Sequence, residues 1–408
     1  EIISSQLAES GEMIRRERTF KGIEVNNRVI GENDEKVKAQ QLKQANQVTD
    51  VMNDIIKFQS EHVKPVVQAM DDEAAAEGER VVGREGTSMA GVDSTPYFSK
   101  VFNVINQLLY AIKAKETARF AIEELKAGRK PFIAIRSTME AMLKDIVDRG
   151  HVKIGDAIDA DFSFVLQKGL EGVMRISVKD AQGQSRKEDI PISDLSIQGQ
   201  LEYGRIKSKI SNLDSGLNIS PIDELVQTLN EAGYKVGEVT GRQMRLKLKG
   251  NKAILEPNKK EPVNELYRKF NNGDLDVIIV NSSGSTGASA HSDSKFKDQR
   301  QRSMLVLEPE LNISTLVQML GRVNRTGQVN KPKYTFISST IPAEQRLLMM
   351  TMRKLKSLDA NTTSNQKQSN NFIEVPEIFN KYGDEVVIEY LSENTEIISS
   401  LGDPLNML

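Results

Sequence analysis

Residues 313–329 read ISTLVQMLGRVNRTGQV and carry Gly321, Arg322 and Arg325 at three, four and seven residues from Gln318. Those intervals predict a single helical face over adjoining turns. A face bearing two guanidinium groups and a bare glycine packs poorly into a core and suits an anion that must be approached closely. A guanidinium stays charged and offers a planar fork to phosphate oxygens. A second stretch, NSSGSTGASA at 281–290, holds four serines, a threonine, Gly284 and Gly287. Such a loop offers hydroxyl and N–H donors with close backbone approach, as a phosphate requires. Taken alone it reads equally well as a polar turn between a strand and a helix. Asp293 follows it as a bridge to the arginines, a cap or an exposed carboxylate, and the run KFKDQRQR (295–302) reads as further phosphate contacts or a solvated face.

The elements that must position these residues show in the hydropathy pattern. KPFIAIRST (130–138), GYKVGEVTG (233–241), LDVIIVNSSGSTG (275–287), SMLVLEP (303–309) and KYTFISST (333–340) are short apolar runs alternating with helical segments. Strands apolar on both faces that alternate with helices predict an α/β fold with a doubly wound parallel sheet. Ligands of such sheets bind beyond the carboxyl ends of the strands. That places Ser137 and Thr138, the serine-rich loop and the arginine-bearing helix together. Earlier in the chain, RRERTFKGIEV predicts a strand with Phe20, Ile23 and Val25 as its apolar members. Residues 33–76 predict helix with a break or kink at Pro65. Residues 71–95 read as a linker or mobile loop. Residues 96–128 predict a long helix with the stripe Phe102, Ile105, Leu108, Leu109 and Ile112, stopped by Gly128. The segment from about 150 to 215 interrupts the alternation and reads as an insertion, with a hairpin around Gly183.

The totals bound the functional classes. The chain of 408 residues is 38% hydrophobic and 27% charged, with a net charge of −2, so any nucleic-acid contact is local rather than a global basic field. Cysteine is absent, which removes disulfides, thiolate nucleophiles and cysteine zinc sites and fits a reducing compartment. His62, His151 and His291 form no metal-ligand spacing. No apolar run approaches the roughly 20 residues of a membrane span, and no signal peptide is visible. The chain begins at Glu1, which reads as a fragment, a processed product or part of a longer polypeptide. The location expected is intracellular, in cytoplasm or nucleus, or within a phage particle.

A strand, a Ser/Thr/Gly loop, a second strand and then Q-x-x-G-R-x-x-R is the order of the late motifs of superfamily-two helicases. SSGSTGAS resembles the fifth motif and QMLGRVNR the sixth. SPIDELVQTLNEAGYKVGEVTGR, VNSSGSTGASAHSD, DQRQRSMLVLEPELNISTLVQMLGRVNRTGQV and FNKYGDEVVIEYL resemble the carboxyl-terminal helicase domain of the strawberry notch family, whose members occur in animals, bacteria and phages. GEMIRRERTFKGIEV resembles the segment leaving the first RecA-like domain of that family. The resemblance is weakest over 31–95 and 150–215.

The resemblance implies a second RecA-like domain at 96–385 with an insertion, preceded by an inter-domain segment at 1–95 with helices and linker, and followed by a tail at 386–408. It implies ATP and Mg2+ bound jointly with a first RecA-like domain, and DNA as a partner, with RNA left open. By motif position Arg325 is the arginine finger. Arg322 is a second phosphate contact or a sensor of closure, and Gln318 orients the nucleotide or the arginines. Gly321, Gly287 and Gln328 border the nucleotide. Ser137, Thr138, Ser285 and Thr286 contact the nucleic-acid backbone. The departure is as informative. No G-x-x-x-x-G-K-[ST] occurs, so the chain alone carries half an ATP site. The alternative is a non-enzymatic structural or interaction module of a phage particle or large assembly. A dehydrogenase is disfavoured by the lack of G-x-G-x-x-G after a first strand.

Overall fold

Strands that are apolar on both faces need cover on both faces, and alternation with helices supplies it. The computed structural model describes residues 23–76, 91–94, 96–138, 140, 143–144, 147, 152–179, 185–213, 215–250, 252–281, 289–309, 312–362 and 388–393. Its strands are β1 (Glu24–Val29), β2 (Gly91–Ser94), β3 (Lys130–Ala134), β4 (Ala157–Asp159), β5 (Arg175–Lys179), β6 (Ser185–Asp189), β7 (Val236–Val239), β8 (Met244–Lys249), β9 (Lys252–Pro257), β10 (Val277–Val280), β11 (Arg302–Val306) and β12 (Lys333–Ser338). Its helices are α1 (Glu35–Phe58), α2 (Lys64–Ala76), α3 (Phe98–Lys126), α4 (Ser163–Val173), α5 (Ile197–Ser211), α6 (Pro221–Glu231), α7 (Val263–Asn272), α8 (Ile313–Leu320) and α9 (Pro342–Thr362). None of the described helices is long and apolar enough to cross a membrane.

The expected parallel sheet is present, with six strands in the order β1-β12-β11-β3-β10-β7, every pair parallel. β7 and β10 lie to one side of β3, and β11 and β12 to the other, so the connection direction reverses at β3. Two small antiparallel sheets, β2-β5-β6 and β4-β9-β8, accompany it. The β5–β6 pair is the hairpin expected near Gly183, and its turn lies outside the described residues. Contacts divide the chain into Gly22–Leu348, which holds these sheets, and a unit of Glu1–Lys21 with Met349–Leu408. In the second unit the described residues are the later part of α9 and a helical stretch at 388–393.

The differences from expectation are local. β1 starts at Glu24, and Phe20 lies outside the described residues. Residues 71–76 complete α2 and 91–94 pair with β5 as β2, so the ends of the expected linker are regular structure; 77–90 lie outside the described residues. Pro65 does not break the chain. The helical path runs on through α1, a π-helical turn at Gln59–Val63 and α2, and the change to π hydrogen bonding directly before Pro65 marks the irregularity where its missing N–H falls. Gly128 does end α3, with φ +74° in the left-handed region.

α3 reaches two cores. Val104, Leu108, Ala111 and Ile112 pack with Val48, Met52, Phe162 and Leu166 of the helical and small-sheet part. Tyr110, Ala114, Ala118 and Ala121 pack on one face of the large sheet with Ile133, Ile279, Leu305 and Leu225. The other sheet face is covered by α7 and α8, where Phe132 meets Phe270 edge-on at 6.4 Å. Phe102, expected in the stripe of α3, is 47% exposed.

Between Ile112 and Ala114 stands Lys113, 1% exposed. Its ammonium donates to the carbonyls of Leu307 at 2.6 Å and Ile337 at 3.3 Å, and to the Glu344 carboxylate. Glu344 in turn accepts from the Ser339 N–H at 2.7 Å and hydroxyl at 2.5 Å. One cation thus ties α3 to the carboxyl ends of β11 and β12 and to the start of α9. Removing one partner of such a pair leaves the other charge buried, which costs about 3–5 kcal/mol. Lys113→Met is therefore expected to lower the unfolding free energy by about 3–5 kcal/mol in chemical denaturation. A loss below about 1 kcal/mol, the scale of an exposed ion pair, would show that the cation is not a tie.

Candidate functional site

α8 opens after the carboxyl end of β11, where the Asn312 side chain accepts from the Ser314 and Thr315 N–H groups. It lasts eight residues and ends at Leu320. Only Gln318 of the four spaced residues is helical, and it is exposed. Gly321 is the capping residue and Arg322 and Arg325 lie in the turn beyond, so the expected single helical face does not form. The cause is competition for the last carbonyls. The Tyr334 hydroxyl donates to the Leu320 carbonyl at 2.8 Å, and the Ala290 N–H donates to the Arg322 carbonyl at 2.9 Å. Val323 is fully buried. Together these draw the chain off the helical path toward residues 289–293.

The end of the sheet also differs from expectation. α8 runs back along the sheet, so the arginine turn lies beside the start of β12, at the amino end. Asn330 Nδ2 donates to the Gln299 carbonyl at 2.7 Å and Gln301 Nε2 to the Lys331 carbonyl at 3.1 Å, both just before β11 begins. Ser137 and Thr138 follow the carboxyl end of β3, and a five-residue parallel strand spans roughly 16 Å. The expected residues therefore form two groups at opposite ends of the sheet. Ser285, Thr286 and Gly287 lie outside the described residues. The chain before them is at the carboxyl end, where Asn281 Nδ2 donates to the Thr240 carbonyl at 3.1 Å, and by Ala290 it is at the amino end.

At the amino end, Arg302 is fully buried inside what read as a basic surface run. Its guanidinium donates to the carbonyls of Ala290 at 2.8 Å, Arg300 at 2.9 Å and Asp298 at 2.9 Å. Ala290 is thus held on both sides, its carbonyl accepting from Arg302 and its N–H donating to the Arg322 carbonyl. Asp298 also accepts from Lys130 and Arg300, which hold its carboxyl well below the usual range against the opposing effect of burial. These cations are committed to carboxylates and carbonyls, and do not present themselves to an external phosphate.

Arg325 differs. Its Nε donates weakly to the Gly321 carbonyl at 3.3 Å, and among the described residues no carboxylate pairs with it. Gln328 shapes the turn, accepting from the Arg325 N–H at 3.2 Å and donating to Asn324 Oδ1 at 2.9 Å. Arg322 is 9% exposed, and burial, with Arg325 beside it, lowers its pKa. The Tyr267 hydroxyl of α7 feels both guanidiniums. Burial pushes its pKa up to about 12, the two cations oppose that, and it has no hydrogen-bond partner among the described residues. Asp293 joins loop to turn through a backbone bridge with Gln328, and its carboxylate faces His291 Nε2 at 3.2 Å rather than an arginine. Burial lowers the His291 pKa, Asp293 raises it, and Arg325 and Arg302 lower it further.

At the carboxyl end, Glu308 was not foreseen. Its Oε2 accepts from the Arg136 N–H at 3.1 Å and the Ser137 N–H at 2.9 Å, and burial raises its pKa. An internal carboxylate therefore fills the backbone donors of this loop. The side chains of Arg136, Ser137 and Thr138, half-buried, are what remain for a ligand. The only sequence signal for Glu308 was an acid closing an apolar run.

Residues 220–400 match the family described as the C-terminal domain on Strawberry notch homologue. The rat protein strawberry notch homolog 1 is 30% identical over 335 residues, 64% of this chain and 26% of that protein. The Drosophila melanogaster protein strawberry notch is 30% identical over 183 residues, 43% of this chain and 11% of that protein. The chain thus spans about a quarter of the rat relative and less of the fly one. A crystal structure of the C-terminal part of the Fun30 ATPase domain aligns over 32% of this chain and 36% of its own at 17% identity, with a TM-score of 0.23 that carries no weight for the fold.

His291 gives the site a pH signature. Its folded pKa lies below the ordinary 6.5, so the unfolded chain takes up a proton first as pH falls. Its contribution to stability is complete above 6.5 and is lost as pH falls from there toward the folded value. His291→Gln is expected to reduce the drop in melting temperature between pH 7 and pH 5.5, measured against wild type by scanning calorimetry. An unchanged drop would mean that His291 is not held neutral.

Proposed function

We propose, from the premise that residues 220–400 are a helicase carboxyl-terminal domain of the strawberry notch family, that the chain is the second RecA-like half of a nucleic-acid-dependent ATPase. The observation that carries this reading is the arginine turn. Two guanidinium groups stand together at one end of the sheet, near an unpartnered tyrosine hydroxyl, and Arg325 has no carboxylate among the described residues. Like charges held together are unfavourable until an anion arrives between or before them. Lys130, Arg300 and Arg302 nearby are instead met by Asp298 and by backbone carbonyls.

In this reading the turn faces a first RecA-like domain that carries the phosphate loop and the Mg2+ ligands. ATP bound there would present its terminal phosphoryl group to the turn, where guanidinium groups would stabilise the charge spread over its oxygens. Arg325 donates to those oxygens as the finger. Arg322, held by its carbonyl to Ala290, makes a second contact or reports closure. Gln318, exposed on the last turn of α8, orients the nucleotide or the arginines. Gly321 and Gly287 allow close approach, and Gln328 keeps the turn folded through its bonds to Arg325 and Asn324. At the other end of the sheet Ser137 and Thr138, with Ser285 and Thr286, contact the backbone of DNA, or of RNA, without base preference. Residues at the two ends are connected through β11, β12 and α8, which would let nucleotide state alter the grip on nucleic acid.

The test is ATP hydrolysis, with and without DNA, by the longest natural polypeptide containing this segment. DNA is expected to stimulate turnover. Arg325→Ala is expected to reduce it on the order of 10³-fold while the protein stays folded. No turnover by wild type, or an alanine variant as active as wild type, would sink the arginine assignment and favour a scaffold built on a helicase-type fold.

A further inference from the structure

Phe102 is an apolar ring where the fold had every means to bury it. α3 is enclosed by two cores, yet Phe102 on its second turn is 47% exposed. The Arg136 guanidinium lies 5.6 Å from its ring centroid, in the range of a cation–π contact. Arg136 forms no ion pair among the described residues. Its backbone is fixed by Glu308, which also fixes Ser137, so the cation has a defined place immediately before the two hydroxyl residues. Along the same face of α3, one and two turns inward, stand Asn106 and Tyr110. The Asn106 Nδ2 and the whole of Tyr110 are buried there, so the exposed ring of this face is Phe102 itself.

An exposed aromatic ring with an arginine beside it and two hydroxyl residues next in sequence are the parts of a site for a nucleobase and its phosphate. A lipid tail or an apolar side chain would use the ring and leave the rest idle. We propose that Phe102 and Arg136 form a stacking platform for an unpaired base of single-stranded nucleic acid, whose adjoining phosphate reaches Ser137 and Thr138. The inference rests on the nucleic-acid reading of the carboxyl end given above and narrows it from backbone contact in general to the single strand. A base within a duplex has its faces covered by its neighbours, so the platform discriminates against duplex. The contact carries no sequence preference, because every base has a π-face.

The test is equilibrium binding of the full chain to a fluorescent oligo(dT) and to a duplex of equal length, at one fixed salt concentration. Phe102→Leu keeps an apolar residue at an exposed position and so spares the fold. It is expected to weaken oligo(dT) binding roughly 5- to 150-fold, the range for loss of one stacked base, with duplex binding unchanged. Phe102→Tyr is expected to restore wild-type affinity. Arg136→Lys, which keeps the charge and loses the planar group, is expected to fall between. Wild-type affinity in Phe102→Leu, or an equal loss on both ligands, overturns the platform while leaving backbone contact intact. If wild type binds neither ligand, the nucleic-acid reading of the carboxyl end fails and the platform with it.

Discussion

A lysine ammonium shut away from water must be fully met by oxygen atoms, and Lys113 is met by two strand-end carbonyls and a carboxylate from three different elements. That requirement fixes α3, β11, β12 and the start of α9 against one another. β11 leads into α8 and β12 leads out of the arginine turn, so the positions of Arg322 and Arg325 depend on a cation at the far end of the sheet. The same helix carries Phe102 at its exposed end and joins the two cores. Few single side chains touch so many of the elements on which the site relies.

The sheet separates two kinds of chemistry. At the amino end, Arg302 is closed on the carbonyls of Asp298, Arg300 and Ala290, and the Ala290 N–H holds the Arg322 carbonyl. At the carboxyl end, a buried Glu308 holds the Arg136–Ser137 backbone. Both groups hold the backbone beside a cation that no carboxylate pairs with among the described residues, Arg325 in one case and Arg136 in the other. The two proposed ligand sites lie on opposite ends of one sheet, and the strands that join them are a physical basis for coupling between them.

The alternation of apolar runs with helices was enough to read the parallel sheet, because period and burial are written locally. The hairpin near Gly183 and the stop at Gly128 were legible for the same reason. The arginine turn was misread in geometry. Spacing alone cannot show that Tyr334, fourteen residues on, takes the Leu320 carbonyl and ends the helix. Nor can it show that α8 returns along the sheet and delivers the arginines to its amino end. Arg302 read as a surface charge because a basic run looks solvated, whereas the carbonyls of Asp298 and Arg300 in that run, with that of Ala290 before it, meet its buried guanidinium. Glu308, Tyr267 and the exposure of Phe102 are likewise products of tertiary contact. The roles of Gln318, Arg322 and Arg325 were inferred from motif resemblance, which sees order along the chain and not the turn that displays it.

This chain is proposed to contribute half of a composite nucleotide site. The most direct measurement is calorimetric titration of the 408-residue chain with Mg2+ and a non-hydrolysable ATP analogue, alone and together with a first RecA-like domain that carries a phosphate loop. No measurable binding to the chain alone is expected, and binding to the pair is expected to be tighter than to the first domain by itself. Tight binding by the chain alone, or no gain in the pair, would contradict a composite site.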